Sequence, residues 1–376
     1  MIVLVLAFWL TAALLVFTYA GYPVVLWLMV RARAGKASSG TVPAGEPSLS
    51  VVLVARNEES RIAARLANLA ATNTPALREI ILVCDGCTDG TAAVAEQVAD
   101  ARVRVLRIEP GRGKPAGVNA GVAAAMGEVV ALCDARQRFT PETLPRLLAW
   151  FADPQNGAVS GALEIEPSAT GAGQGVDAYW RLEKLIRRLE SDLDSSVGCT
   201  GAVYAIRRSA FEPMPDDTLL DDVVVPMRIA QRGLRVRFCP EALAYDPQTL
   251  SGAAEQRRKI RTLGGNFQML FRYPGWLLPW GHRLWWKLIA HKYLRLAGPW
   301  LLLQLLCLSW VLRGLWLPCL ALVAQVAFYA AALLSGRAPG FKGRVPGMAA
   351  GFVFLQVCMV KGLFYWLALK PQKGWK

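Results

Sequence analysis

Residues 79–91 read Glu-Ile-Ile-Leu-Val-Cys-Asp-Gly-Cys-Thr-Asp-Gly-Thr. An apolar, β-branched run ends at Asp85-Gly86, and a second Asp-Gly pair precedes the helical pattern that starts at Thr91. An uncharged run of that length is a short strand buried on both faces, and the aspartates and glycines after it are turn chemistry. The same grammar repeats outward. Residues 49–55 are a strand, then Arg56-Asn57-Glu58-Glu59 leads into a helix over 58–70 that sets Ile62, Leu66 and Leu69 on one face. Residues 103–108 are a third strand, 114–126 a helix and 128–133 a fourth strand. This alternation predicts an α/β domain with a parallel sheet covered by helices on both faces. Ligands of such sheets lie beyond the carboxyl ends of the strands, so function is sought there.

The rest of the chain is of another character. Of 376 residues, 54% are hydrophobic and 19% charged, against about 25% charged in a soluble domain. Residues 1–30 carry no charge, and about 20 apolar residues suffice to cross a bilayer. No basic start or small-residue cleavage site marks them as a signal peptide, so 1–36 reads as a retained anchor. Arg31, Arg33 and Lys36 follow it and put the next segment in the cytoplasm. Residues 37–48 read as a linker and 49–270 as the globular domain. Apolar stretches near 296–312, 314–336 and 346–369 make 296–376 a C-terminal membrane region, the first two stretches forming a hairpin about Arg313. Four full crossings would place the basic tail, Lys370 to Lys376, outside, against the charge rule, unless one segment is re-entrant or interfacial. Lys361 inside the last stretch is either functional or snorkelling. Residues 271–295 interleave tryptophans with bases and read as an amphipathic helix in the headgroup plane, or else as the flank of a crossing helix.

Lys and Arg number 42 against 28 Asp and Glu, a net charge of +14, which calls for a polyanionic partner such as nucleic acid, anionic lipid or a phosphorylated substrate. No nucleic-acid motif is present, so nucleic acid is set aside. Two histidines make His-based metal sites and catalysis poor readings, and the eight scattered cysteines read as reduced.

Charged residues stand after each strand: Arg56 and Glu58, then Asp85 and Asp89, then Lys114 in Gly111-Arg112-Gly113-Lys114, then Asp134-Ala135-Arg136. Each alone reads as a turn or helix cap. Together at one sheet edge, a carboxylate pair, a lysine and a divalent cation suit a nucleoside diphosphate, the cation holding the phosphates. The loop is not a Walker loop, and no GxGxxG follows the first strand. Arg257, Arg258, Lys259 and Arg261 form a cationic cluster that calls for an anion or is a solvated stripe. Asp221-Asp222 reads as a helix N-terminus or as catalytic. Most charges over 177–190 read as a solvated, salt-bridged helix face.

These residues resemble family 2 membrane-bound glycosyltransferases with the GT-A fold, related to surface-polysaccharide synthases. Residues 51–58 resemble the opening strand with its Asn-Glu, 85–91 resemble DGSTDGT, and Gly113-Lys114 with Asn119 resembles GK…N. Asp134-Ala-Arg136 stands at the DxD position, and Glu183-Lys184, Gly201 with Tyr204, and Asp221-Asp222 continue the likeness over about 50–270. The resemblance implies nucleotide-sugar contacts at Arg56, Glu58, Asp85, Lys114, Asp134, Arg136, Arg258 and Arg261. It implies a divalent cation, Mg2+ or Mn2+, at Asp134, and a general base at Asp222 or Asp221. Glu183, Lys184, Gly201 and Tyr204 fall on the acceptor side. Arg136 replaces the second Asp of DxD, and 258–262 departs from the QxxRW motif of processive synthases.

The expectation is an inverting transfer from a nucleotide diphospho-sugar, UDP-linked by preference, to a lipid-linked or polysaccharide acceptor at the cytoplasmic face of the plasma membrane. It requires Asp85, Asp134 and Asp222 to converge on one crevice. The alternatives are a single-step polyprenyl-phosphate transferase and a transporter with a nucleotide-binding domain.

Overall fold

The computed structural model describes residues 1–33, 46–165, 171–246, 252–335 and 343–368. Most of the expected linker and the tail from Lys370 lie outside the described residues. The chain opens with α1 (Ile2–Val16) and α2 (Tyr22–Arg33), continuous through a π-helical turn at Phe17–Gly21.

Eight strands then form one sheet: β1 (Leu49–Ala55), β2 (Leu77–Asp85), β3 (Val103–Ile108), β4 (Val129–Cys133), β5 (Arg138–Phe139), β6 (Asn156–Ile165), β7 (Val203–Arg207) and β8 (Arg235–Asp246). Their order is β3-β2-β1-β4-β7-β6-β8-β5. Between them stand α3 (Glu59–Ala70), α4 (Thr91–Glu96), α5 (Lys114–Ala124), α6 (Thr143–Ala149), α7 (Gly171–Leu193) and α8 (Asp221–Gln231). β1 to β4 pair in parallel, as the uncharged runs predict. Beyond β4 the all-parallel expectation fails: β7 is antiparallel to β4 and β6, while β6 and β8 are parallel. β8 alternates buried with more exposed residues, the pattern of a strand wet on one side rather than of one sealed between helix layers.

Successive strand residues face opposite ways, so the sheet has two cores. Leu49, Val51 and Leu53 meet Ile62, Leu66 and Leu69 of α3 and Leu144, Leu147 and Leu148 of α6. Val52 and Val54 face the other way, toward Val118 and Val122 of α5 and Val224, Met227 and Ile229 of α8.

The chain continues as α9 (Gly252–Arg272), α10 (Trp285–Leu288), α11 (Leu294–Val311), α12 (Trp316–Leu334) and α13 (Arg344–Leu367). Among the described residues, four stretches are long and apolar enough to cross a membrane: Ile2–Arg33, Trp285–Val311, Trp316–Leu334 and Val345–Leu367. The second core takes in Phe267 and Met269 of α9 with Leu288 and Leu296, so it runs unbroken from sheet to membrane helices.

Residues 271–295 do not make one continuous helix. A 3-10 turn at Pro274–Leu277 is followed by the start of a helix of membrane length at Trp285. The bases turn onto α7 instead. Lys287 Nζ donates to the carbonyls of Glu190 and Ser195, both at 3.0 Å, and Arg283 Nε reaches Asp194 at 2.7 Å.

Candidate active site

The parallel strands deliver their charged termini to one edge. β1 ends in a turn where Asn57 adopts φ 55°, a left-handed conformation that Asn tolerates better than most residues. Its Oδ1 accepts from the Thr88 N–H at 2.8 Å and ties this turn to the one after β2. Arg56 and Glu58 flank Asn57 half-buried, and burial raises the Glu58 carboxyl despite Arg61 at 3.1 Å.

Asp85 is fully buried, and its two oxygens accept from the N–H groups of Arg112 and Gly113, each at 2.7 Å. Asp85, an implied nucleoside contact, here holds the 111–113 loop with both carboxylate oxygens. Gly86, at φ 62°, lets that loop close, because a Cβ there would stand 2.7 Å from the Gly111 Cα.

The loop feeds Lys114 into the first turn of α5. Lys114 Nζ lies 2.9 Å from Asp134 Oδ1 and 3.2 Å from Asp221 Oδ2, joining the end of β4 to the start of α8. Burial alone would lower the Lys114 pKa, but Asp134 and Asp221 outweigh it and hold the ammonium above its ordinary value. Asp222 is the less committed member of its pair. Its Oδ2 accepts the Gly201 N–H at 3.1 Å, and burial, then the adjacent Asp221 charge, raise its pKa. Gly201 admits that contact closely, since a Cβ would lie 3.2 Å from Asp222 Oδ2. Tyr204 is buried on β7 beside this group, and its hydroxyl has no hydrogen-bond partner. Burial, then Asp221 and Asp222, push that phenol well above its usual range.

Arg136 does not stand free for a phosphate. It pairs with Asp246, buried at the end of β8, which Arg258 also approaches at 3.6 Å. Arg258 further pairs with Glu255 at 3.2 Å, whereas Arg261 is exposed and makes no ion pair among the described residues. On α7, Lys184 meets Glu164 at 2.6 Å. The solvated-face reading of α7 is overturned at Glu183 and Glu190, which are buried. Glu183 faces His291 at 3.1 Å, Lys292 at 3.2 Å and Arg295 at 2.8 Å. Burial would raise its pKa, but these bases hold it well below the usual carboxylate range.

Residues 50–214 match the family model described as Glycosyl transferase family 2. This stretch is a family 2 glycosyl transferase domain. A β-monoglucosyldiacylglycerol synthase of Synechocystis is 24% identical over 254 residues, covering 64% of this chain and 51% of the relative. A poly-β-1,6-N-acetyl-D-glucosamine synthase of Staphylococcus aureus is 26% identical over 234 residues, covering 60% and 56%. The chain spans about half the length of these curated relatives. A mannosyltransferase structure from Pyrobaculum calidifontis, in complex with GDP-Man and Mn2+, aligns with a TM-score of 0.71 at 22% identity, covering 96% of this chain and 99% of that one. That likeness shows the fold, a GT-A domain with membrane helices at either end.

Within the glycosyl transferase domain no group of three or more His, Cys, Asp and Glu side chains among the described residues is placed to cage a metal ion. A cation shared with a diphosphate needs less, because substrate phosphates and waters complete its shell. Asp134 fits that lesser role: its side chain is 39% exposed, and one oxygen is taken by Lys114.

Sequence reading missed three members of this neighbourhood. Arg65 is buried on α3, donates to the Asp134 carbonyl at 3.2 Å and lies 4.2 Å from the Phe139 ring centroid. Asp246 is the counter-charge of Arg136, and it ends a strand as the other carboxylates do, which was its available signal. His291 is gripped between Glu190 at 3.0 Å and Glu183 at 3.1 Å, and nothing in its local sequence announces that.

Proposed function

We propose that the chain is a membrane-bound inverting glycosyltransferase, with 49–270 as its transferase unit. It moves a sugar from a nucleotide diphospho-sugar to a hydroxyl of a lipid-linked or polysaccharide acceptor. One observation carries the reading: Asp221 and Asp222, just beyond the stretch that matches the family 2 model, meet Lys114 and Asp134 of that stretch at the carboxyl edge of the parallel strands. A second crevice wall of carboxylates beside a lysine suits a leaving diphosphate and an attacking hydroxyl at once.

Asp222 acts as the general base. Its raised pKa matches proton acceptance near neutral pH better than an ordinary aspartate would. The acceptor hydroxyl gives its proton to Asp222 while its oxygen bonds to the anomeric carbon. The bond to the diphosphate breaks on the opposite face. Asp221 holds Lys114 in place, and Lys114 with the first amides of α5 stabilises the charge that gathers on the departing diphosphate. Asp134 would hold a divalent cation, Mg2+ or Mn2+, which supplies charge neutralisation on the diphosphate when bound.

The names of the relatives support both acceptor kinds, a diacylglycerol lipid and a glucosamine polymer. The Pyrobaculum structure contains a GDP-sugar with Mn2+, so preference for a UDP-sugar rests on the sequence resemblance alone. Arg31 and Arg33 at the end of α2 support a transferase unit on the cytoplasmic side of the cell membrane. The departure at 258–262 favours addition of one sugar over processive synthesis.

Nucleoside diphosphate release from a panel of donors, in purified membranes with Mg2+ or Mn2+, tests the reading. Asp222→Asn is expected to lower the rate by about 10²–10⁴-fold, the usual worth of a general base. Undiminished turnover removes Asp222 from that role, and product length after prolonged reaction separates one addition from many.

A further inference from the structure

Beside Glu183 lies a cavity of about 120 Å³ where the transferase unit meets the membrane helices. Its walls differ in kind. Arg187 of α7, Lys259 of α9, and Lys292 and Arg295 at the head of the crossing helix contribute positive charge. Glu183 is the only acidic side chain among the described residues that line it. The opposite wall is apolar, with Leu296, Leu355 and Met359 from helices of membrane length.

The cations are built in, not trailing in solvent. Lys259 is 9% exposed, lies 4.5 Å from the Trp180 ring centroid and pairs with Glu255 at 3.7 Å. Glu183 already serves His291, Lys292, Arg295 and Arg187. Arg187, Lys292 and Arg295 thus share one carboxylate, and a second anion among them would be favoured in so buried a space. One buried polar atom on the same walls lacks a hydrogen-bond partner: Asn266 Oδ1, an acceptor, on a side chain 8% exposed. The cavity is also wired to the base. Arg187 donates to Thr200 Oγ1, and the next residue, Gly201, holds Asp222 by its N–H.

We propose that this cavity seats the phosphate of the acceptor, a membrane lipid whose acceptor hydroxyl is carried on a phosphate-linked head. The phosphate lies among Arg187, Lys259, Lys292 and Arg295. Asn266 Oδ1 accepts from a head-group hydroxyl, the tail follows Leu296, Leu355 and Met359, and another hydroxyl reaches Asp222. The acceptor role, though not the lipid site itself, rests on the transferase reading above.

Binding to the purified full chain in a nonionic detergent, followed by native mass spectrometry, tests the site. The probes are phosphatidylglycerol, diacylglycerol and inorganic phosphate. Phosphatidylglycerol is expected to bind at least about tenfold more tightly than diacylglycerol, and Lys259→Met to weaken it by about tenfold, the loss of one charge-assisted contact. Asn266→Leu, which removes no ion pair, weakens it severalfold and keeps the test readable if Lys259→Met folds poorly. Arg188→Gln, an exposed charge outside the cavity, leaves binding unchanged and controls for general attraction to a basic protein. Equal binding of diacylglycerol, wild-type binding by both cavity variants, or inorganic phosphate binding as tightly as phosphatidylglycerol overturns the proposal. Donor turnover is read in the same preparations. Phospholipid binding without turnover refutes the transferase reading and leaves the lipid site standing. Turnover with a neutral lipid, unaffected by the cavity variants, does the reverse.

Discussion

The proposed base Asp222 is shaped by its surroundings. Burial, then Asp221, raise its proton affinity, and Gly201 fixes one of its oxygens through a backbone N–H. A methyl group on residue 201 would press on that oxygen from 3.2 Å. Gly201→Ala is therefore expected to lower kcat by about tenfold, roughly 1.4 kcal/mol in the barrier, with donor KM little changed. Steady-state kinetics in detergent checks the split. The raised pKa also sets a pH dependence. A base must be unprotonated, so the acid limb of kcat/KM lies above the ordinary aspartate value of 3.8, and activity falls as pH drops through it. The folded protein holds this proton more tightly than the unfolded chain does, so the ionised carboxylate costs stability above that pKa. Asp222→Asn, though inactive, should then melt higher than wild type at pH 8, which differential scanning fluorimetry can read.

At the scale of the element, the first half of the domain was open to sequence reading. Uncharged strands such as β1 and β4 and a helix with a single apolar face such as α3 admit few alternatives, and β2 is as apolar from Ile80 to Cys84, whereas β3 carries Arg104 and Arg107. α7 was not open. Glu183, Lys184, Arg187 and Glu190 fall at helical spacing, and a wet salt-bridged stripe has the same spacing. What buries Glu183 and Glu190 is a set of bases from 287–295, a long way along the chain, so no local pattern carries the information. The site divides in the same way. Lys114, Asp134 and Asp221 could be singled out because each begins or follows a regular element, and the structure brings them together, whereas the bonds of Asp85 to the 111–113 loop have no local signal. Glu190 permits a test of the α7 junction. It is 0% exposed, and its oxygens accept from Tyr22 and from the Val197 N–H at 2.9 Å while facing His291. Removing one partner of a buried ion pair costs on the order of 3 kcal/mol, so Glu190→Gln should lower the melting temperature in detergent. Burial would raise the Glu190 pKa, but His291 prevails and lowers it below 4.5. Its stabilising contribution is thus present above about pH 4.5 and lost as pH falls through the lower folded value.

Over the whole molecule, the membrane helices are not equivalent. Of the most apolar window of α13, 44% is buried, against 22%, 22% and 11% for the other three spans. The burial comes from the transferase unit. Gly362 sits against Leu263 and Gly264 of α9, and Trp366 stacks on Phe271 with centroids 4.6 Å apart. The last turns of α13 therefore lie along the domain. A segment held there is expected to stop short of a full crossing, which predicts that Ala368 lies on the same face as the transferase unit. In a Cys307→Ser background, Ala368→Cys is expected to escape a membrane-impermeant maleimide in intact cells and to react once they are opened. Labelling in intact cells would restore the fourth crossing.

The grip of Glu183 and Glu190 on His291 has a mechanical consequence. It clamps α7 to the head of a helix of membrane length. For the proposed transfer, such a clamp would fix the height of the site over the lipid surface and act as a gauge, choosing acceptors by the spacer between tail and first reachable hydroxyl before any feature of the sugar itself is read.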